Sequence, residues 1–120
     1  MSYETTISHF KERLNAQSSD VLFEEIIAIV DEHFDFTPTA FQNGELHNDV
    51  GQNSGSCKVF SVAQIIGLDE QQTLVSFGQY YRDDVLSNPE GEDHQNIRNF
   101  MKTGWAGIDF EQSPLQMKEH

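Results

Sequence analysis

The one cysteine of the chain, Cys57, is the residue best placed for covalent chemistry. It follows a glycine-rich polar loop in the segment QNSGSCKVFS, and a helix is predicted to begin near Ser56. Unpaired N–H groups and the positive end of the helix dipole would favour the thiolate and lower the pKa of this cysteine. His94 or His47 would then act as general base or ion-pair partner. The pattern is compatible with a cysteine-dependent hydrolase or transferase that uses Cys57 and His94.

The alternative interpretation makes Cys57 a small buried hydrophobe and leaves His94 as an ordinary residue at a helix start. Free cysteines are among the most buried residue types, and they often behave as small apolar side chains. The two interpretations differ in an observable property, because only the enzyme needs the Cys57 thiol close to a histidine nitrogen.

The segment SGSCKVFS resembles the nucleophile segment of papain-like cysteine proteases, in which Gly-Ser-Cys opens a helix. IRNFMKTGWAG loosely resembles the asparagine segment of that family and puts Asn99 in the place of its catalytic asparagine. The departures are large. Lys58 stands where an aromatic residue is expected, His94 lies only five residues before Asn99, and 120 residues are too few for both papain lobes. Convergence at a helix start explains the likeness without common descent.

Two asparagine-rich segments, NGELHNDVGQN and EDHQNIRN, flank the cysteine in the sequence. We expect them to form a polar ligand pocket around the Gly-Ser-Cys loop, with Cys57 and His94 in the same pocket. Arg98 would clamp a ligand carboxylate there, or it would pair with a neighbouring acid such as Asp93 or Glu92. The predicted ligand-binding residues are Asn43, His47, Asn48, Asn53 and Arg98.

No cofactor and no metal are expected. The side chains that would have to converge on a metal are those of His47, Asp49, Asp93 and His94. They lack the helical His-x-x-x-His or paired-cysteine spacing that is typical of zinc sites. The loop GQNSGSCK also departs from a P-loop, because three residues rather than four separate Gly51 from Gly55. A generic anion site at this loop-to-helix junction stays open.

Helices must position these groups, and hydrophobic periodicity predicts where the helices lie. Five are predicted, at about residues 5–16, 20–34, 56–66, 70–86 and 94–103. Between the second and third, TAFQ is predicted as a short strand before an Asn43-Gly44 turn. Residues 108–110 alternate in polarity and predict a second strand that would pair with the first. Gly78 lowers the stability of the fourth helix, so we interpret it as a site of close packing.

The predicted fold class is mainly α, with about five helices and at most a small two-stranded β ribbon. Residues 1–120 are expected to form a single compact domain, which suits the length and needs no disulfide or metal. The lone cysteine fits a reducing compartment. No apolar run approaches ~20 residues. The N-terminus also lacks a secretory pattern, so we expect a cytoplasmic protein without membrane association.

The formal net charge is −13, from 20 acidic and 7 basic residues. Nucleic acids and anionic membranes bind basic surfaces, so this charge argues against both as partners. An acidic surface accounts for solubility, and it also suits a cationic protein partner. The expected partner is therefore a small ligand or a cationic protein.

Several segments between residues 41 and 110 are distinctive as a set. They are the Asn43-Gly44 pair, GSCK, FGQYYRDDVL, DHQNIRNFM and the Gly104-Trp105 pair. Together they resemble the HopJ type III effector family. The resemblance implies a small standalone bacterial domain, supplies no catalytic residues, and suggests secretion only through the family name. Three hypotheses follow: a binding or regulatory module, the cysteine-dependent enzyme, and a secreted effector that binds a host protein.

Overall fold

Helices and short strands alternate along the chain. The structure is a computed structural model, which describes residues 2–118. The helices are α1 (Tyr3–Ala16), α2 (Phe23–His33), α3 (Ser54–Ile66), α4 (Glu70–Ser76), a π helix (Tyr80–Val85) and α5 (Gln95–Thr103). The strands are β1 (Phe34–Phe36), β2 (Phe41–Asn43), β3 (Leu46–Asn48), β4 (Ile108–Phe110) and β5 (Leu115–Met117). Short 3-10 turns occur at Ser18–Asp20 and Gly104–Gly107.

The prediction of a mainly α fold with at most a two-stranded ribbon is wrong, because the domain is mixed α/β. β3, β2 and β4 form a three-stranded antiparallel sheet, and β1 pairs with β5 in a second, two-stranded sheet. The expected pairing of the two predicted strands is present, with Phe41 opposite Phe110. Of the strands that were not predicted, β1 follows α2 without an intervening residue, and its partner β5 lies far away in the sequence, so no local turn signal links them.

α3 is the central helix of the core. Val59, Phe60 and Val62 are all fully buried on it. The Phe60 ring lies 6.2 Å from Phe41 on β2 and 5.0 Å from Phe100 on α5, measured between centroids. Fully burying an aromatic side chain of this kind contributes about 1.5–3 kcal/mol. The sheet and α5 are therefore held against the same helix, which brings their polar ends together.

Gly78 divides the fourth predicted helix into α4 and the π helix. Its φ is +61°, and a Cβ at this position would overlap Phe23 N and the Leu22 backbone. The prediction of close packing at Gly78 is confirmed. In the π helix that follows, Leu86 N–H donates to Tyr81 O, a bond five residues back along the chain.

Replacement of Gly78 by alanine should be strongly destabilising. The Cβ would be forced into the backbone of the α2 start, and the positive φ would add strain, so Gly78→Ala should lower the free energy of unfolding by about 2–4 kcal/mol. Gly51→Ala is the matched control, because Gly51 has a φ of +84° and no atom within 4 Å of its Cβ position. Equal losses for both variants in urea unfolding would show that packing at Gly78 contributes nothing.

Candidate functional site

Both asparagine-rich segments supply residues to one cleft, which has a volume of about 530 Å³. The cleft lies where the first turns of α3 and α5 approach each other. Its polar side is formed by Asn53, Gly55, Ser56, His94, Gln95 and Asn96. Of the residues predicted to bind a ligand or to catalyse a reaction, the structure therefore brings Asn53 and His94 into a shared cavity.

Aromatic rings form the apolar part of the cleft lining. Phe23, at the start of α2, stacks on Phe77 with a centroid distance of 6.3 Å. Phe23 also meets Tyr80 edge to face at 5.1 Å, and Tyr80 lies 5.3 Å from the His94 ring. The row of rings gives the cleft an apolar wall next to its polar side.

The starts of α3 and α5 carry open backbone donors. Their N-cap residues, Asn53 and His94, are the two non-glycine residues with positive φ in residues 2–118. Neither N-cap side chain caps its helix. The hydrogen bonds of the two helices begin with Cys57 N–H to Asn53 O and Arg98 N–H to His94 O. The three preceding N–H groups of each helix have no intrahelical acceptor and are suited to binding acceptor oxygens.

The starts of the other three α-helices are closed by side chains. In α1 the Ser2 hydroxyl accepts from Thr5 N, and in α4 the Asp69 carboxylate accepts from Gln72 N. At the start of α2, the Glu25 carboxylate accepts from Leu22 N, and the Gln79 side-chain oxygen accepts from Phe23 N. Among the five α-helices of residues 2–118, the two starts without a side-chain cap are therefore those that line the cleft.

The N-cap side chains of α3 and α5 are engaged elsewhere. Asn53 Nδ2 donates to Asn48 Oδ1 at 2.6 Å. His94 Nε2 lies 3.0 Å from Asp84 Oδ2 and 3.9 Å from Asp93 Oδ2. The His94 edge of the cleft therefore has two carboxylates close by, which offset part of the positive potential of the helix starts.

A network of buried amides lies beneath the cleft. Asn43 Nδ2 donates to Asn96 O at 2.8 Å and to Asn96 Oδ1 at 2.9 Å. Asn48 and Asn96 exchange two hydrogen bonds between their side chains, at 3.2 and 3.0 Å. Asn43 and Asn48 are both 0% exposed, and neither lines the cleft. These two predicted ligand residues therefore lie beneath the cleft, where they contact Asn96, and they do not face the cavity.

Arg98 is committed to the loop before α5. Its Nε donates to Asp93 O, its second terminal nitrogen to Asp93 Oδ1 and its first to Asn88 O, at 2.6 to 2.8 Å. This arginine holds the pKa of the Asp93 carboxyl below its usual range, chiefly through the side-chain hydrogen bond. The pairing with Asp93, which was the alternative to a ligand clamp, is present.

Two further predicted residues lie outside the cleft wall. His47 is exposed on the β2–β3 hairpin and contacts Gln42 Oε1 at 3.2 Å and Asp49 Oδ1 at 3.1 Å. Asn99 is half-buried on α5, where its carbonyl accepts from the Thr103 hydroxyl. Neither residue contributes to the cavity between α3 and α5.

The environment of Cys57 does not favour an activated thiol. The residue is 1% exposed, and it does not line the cleft. Burial raises the pKa of its thiol, although hydrogen bonds from Ser61 and Thr39 partly oppose that change. A nucleophilic cysteine requires the opposite shift in pKa. The observations agree with the interpretation of Cys57 as a small core side chain.

The residues that sequence reasoning missed are mostly aromatic. Phe23, Phe77 and Tyr80 form the cleft wall, but Phe77 was predicted to be buried in its helix and the other two were given no role in a site. The Tyr80-Tyr81 pair gave a usable signal, since only one of two adjacent residues can face the core. Tyr81 is the buried one, and Tyr80 turns to the cleft.

Within residues 2–118, no group of three or more His, Cys, Asp or Glu side chains is arranged so that it could hold a metal ion. None of the described helices combines the length and the apolar character needed to cross a membrane.

Comparisons with known proteins give a family and a related structure. The family model described as HopJ type III effector protein matches residues 7–115, which include every residue of the cleft. The crystal structure of a protein of unknown function, VPA0580, is similar at 48% sequence identity, with 92% of each chain covered and a TM-score of 0.89. No curated protein matches the chain.

The Cys57 thiol should react slowly in the native protein. Because the thiol is buried and its pKa is raised, alkylation by iodoacetamide at pH 7.5 should be more than about tenfold slower than in urea-unfolded chain. His94→Ala should leave the native rate unchanged. Rapid native alkylation that drops in His94→Ala would instead establish an activated Cys57–His94 pair.

Proposed function

The chain belongs to the HopJ type III effector protein family, and we propose that it is a binding module for a small polar ligand. The proposed site is the cleft of about 530 Å³ between the first turns of α3 and α5. The proposal is carried by one observation: an aromatic wall and a row of open hydrogen-bond donors face the same cavity.

The polar side of the cleft suits a ligand group rich in acceptor oxygens. The first turns of α3 and α5 offer backbone N–H groups, and Ser56 adds a side-chain hydroxyl. Asp84 and Asp93 lie near the His94 edge, and the chain carries a net charge of −13. These negative charges oppose polyanions. We therefore expect a carboxylate or a phosphate monoester rather than a polyphosphate.

The aromatic side suits a flat apolar group. Phe23, Phe77 and Tyr80 present ring carbon to the cavity and have few hydrogen-bonding atoms of their own. A volume of about 530 Å³ lies in the range of ordinary small-molecule sites. The ligand class supported best is a compound that carries an acceptor group at one end and a ring or flat apolar body at the other.

The cysteine-dependent enzyme has less support than the binding module. Its nucleophile would be Cys57, whose thiol is buried and has a raised pKa. The binding proposal needs no reaction at this residue and uses instead the open helix starts that precede Cys57 and Arg98 in the sequence.

Phenyl phosphate, which combines a ring with a phosphate monoester, is a suitable probe. In a ¹H–¹⁵N NMR titration of the full chain, it should produce saturable shifts of the Gly55 and Gln95 amides. Inorganic phosphate has the acceptor group without the ring, and benzyl alcohol has the ring without the phosphate. Each should therefore bind at least about tenfold more weakly than phenyl phosphate. Absence of a saturable response at both helix starts would contradict the proposal.

A charge placed in the cleft should block the probe without harming the fold. Ser56→Asp puts a carboxylate at the third position of α3, where negative charge stabilises a helix, and where it would repel the phosphate group. It should weaken phenyl phosphate binding by about tenfold or more. Ser54→Asp is the matched control, because it adds the same charge to the same turn outside the cleft wall. Equal weakening by both variants would place the probe elsewhere.

The family description supports a second candidate, a secreted effector that binds a host protein. The excess of 20 acidic over 7 basic residues suits a cationic partner surface. A translocation-reporter fusion of the chain should then enter host cells only when the type III apparatus is intact. A chain that is never exported, and whose deletion slows growth in pure culture, would rule out this candidate.

A further inference from the structure

A single side-chain oxygen joins the two helix starts that form the cleft. Asn48 Oδ1 accepts from Asn53 Nδ2 at 2.6 Å and from Asn96 Nδ2 at 3.0 Å. Asn53 is the N-cap of α3, and Asn96 is the second residue of α5. Asn48 itself is fully buried at the end of β3. Both helix starts are therefore tied to one atom of the sheet.

We propose that Asn48 is a positioning residue for the cleft. It sets the separation between the starts of α3 and α5, and so determines whether one ligand group can accept hydrogen bonds from both. The inference rests on the proposed binding function. Asn48 does not line the cleft, so it acts on the ligand only through Asn53 and Asn96.

The orientation of Asn48 is fixed by its second contact with Asn96. Asn48 Nδ2 donates to Asn96 Oδ1 at 3.2 Å, so the two amides form a reciprocal pair with opposed directions. A buried amide pair of this kind resists rotation, because rotation would leave donors and acceptors unpaired. A binding site needs its donors held to within a fraction of an ångström, and the buried amide pair would hold the two helix starts in this way.

A variant at Asn43 is the control that distinguishes an effect on the α3 start from a general loss of stability. Asn43 is as deeply buried as Asn48, and it also makes two hydrogen bonds to Asn96, through Asn96 O and Oδ1. Its side chain has no hydrogen bond to α3 in the described part of the chain. Asn43→Ala should therefore remove comparable buried contacts but leave the tie between Asn48 and Asn53 in place.

Amide hydrogen exchange tests the tie without any ligand. Asn48→Ala should accelerate exchange at Cys57 and at Arg98, whose N–H groups make the first hydrogen bonds of α3 and α5, by about tenfold. Asn43→Ala should accelerate Arg98 alone. If Asn48→Ala leaves Cys57 protected as in wild type, Asn48 does not hold the α3 start and the proposal is overturned.

Asn53→Gly provides a variant that keeps the fold. Asn53 is exposed and has a φ of 52°, which glycine adopts readily, so this change removes only the side-chain arm to Asn48. Its expected pattern is faster exchange at Cys57 with Arg98 unchanged. Unchanged exchange at Cys57 would overturn the proposal even if Asn48→Ala did not fold.

Binding of phenyl phosphate then tests whether the hydrogen bonds from Asn48 Oδ1 to Asn53 and Asn96 affect ligand affinity. Among folded variants, Asn48→Ala should lose about tenfold in affinity, whereas Asn43→Ala should stay within about threefold of wild type. Equal affinities for the two variants would reduce Asn48 to a structural residue. If wild type itself does not bind the probe, the proposed function fails, and the exchange pattern alone decides whether Asn48 couples the two helices.

Discussion

The arrangement of the domain depends on the need to satisfy buried amides where the β2–β3 hairpin meets α5. Asn43, Asn48 and Asn96 are almost completely removed from solvent, and unpaired amides in such a place would each cost about 1–3 kcal/mol. They are paired only because β2, β3 and the α5 start lie together. Asn43 Oδ1 is the one atom of this network without a partner in residues 2–118. The hairpin and the helix are thus fixed relative to each other by polar contacts as well as by the aromatic core above α3.

The N-cap side chains of α3 and α5 make hydrogen bonds away from their own helices, so the first N–H groups of both helices stay uncapped at the cleft. An N-cap side chain normally contributes about 1 kcal/mol by accepting from its own helix, as Ser2 and Asp69 do. Asn53 donates to Asn48 instead, and His94 contacts Asp84. Both helices therefore forgo a stabilising cap at the place where they line a cavity. Both departures from the local capping rule occur at the same cleft, which agrees with the proposed binding function.

The elements that could be predicted from the sequence are those with a long repeating pattern or a strong local conformational signal. α1, α3 and α5 lie close to their predicted positions because an apolar stripe recurs over several turns. Gly78 was informative because glycine inside a helical pattern needs a packing reason. β1 and β5 could not be found, since the two pair across most of the chain. Pairing at such a distance depends on tertiary contacts.

The sequence predicted that the two asparagine-rich segments lie together, but it did not predict which of their side chains line the cleft. The two asparagine-rich segments do meet, but polar composition suggested that Asn43 and Asn48 would face a ligand, whereas they support the site from the core. Cys57 was misleading for the opposite reason. It lies at the start of a helix, yet its side chain is on the face of α3 that packs into the core, whereas Gly55 and Ser56 line the cleft.

Charge and hydrogen bonding act on this cleft over different distances. The net charge of −13 produces a field that extends about a Debye length, or ~8 Å at physiological ionic strength, and it slows the approach of any anion. The open N–H groups of α3 and α5 act only at contact. In the proposed binding site, a ligand would therefore be selected by the fit of its acceptor atoms and by the packing of its apolar body against Phe23 and Tyr80, since long-range attraction would not help it to enter. Such a site would discriminate between ligands by fit, so the spacing of its two helix starts would matter more than their charge.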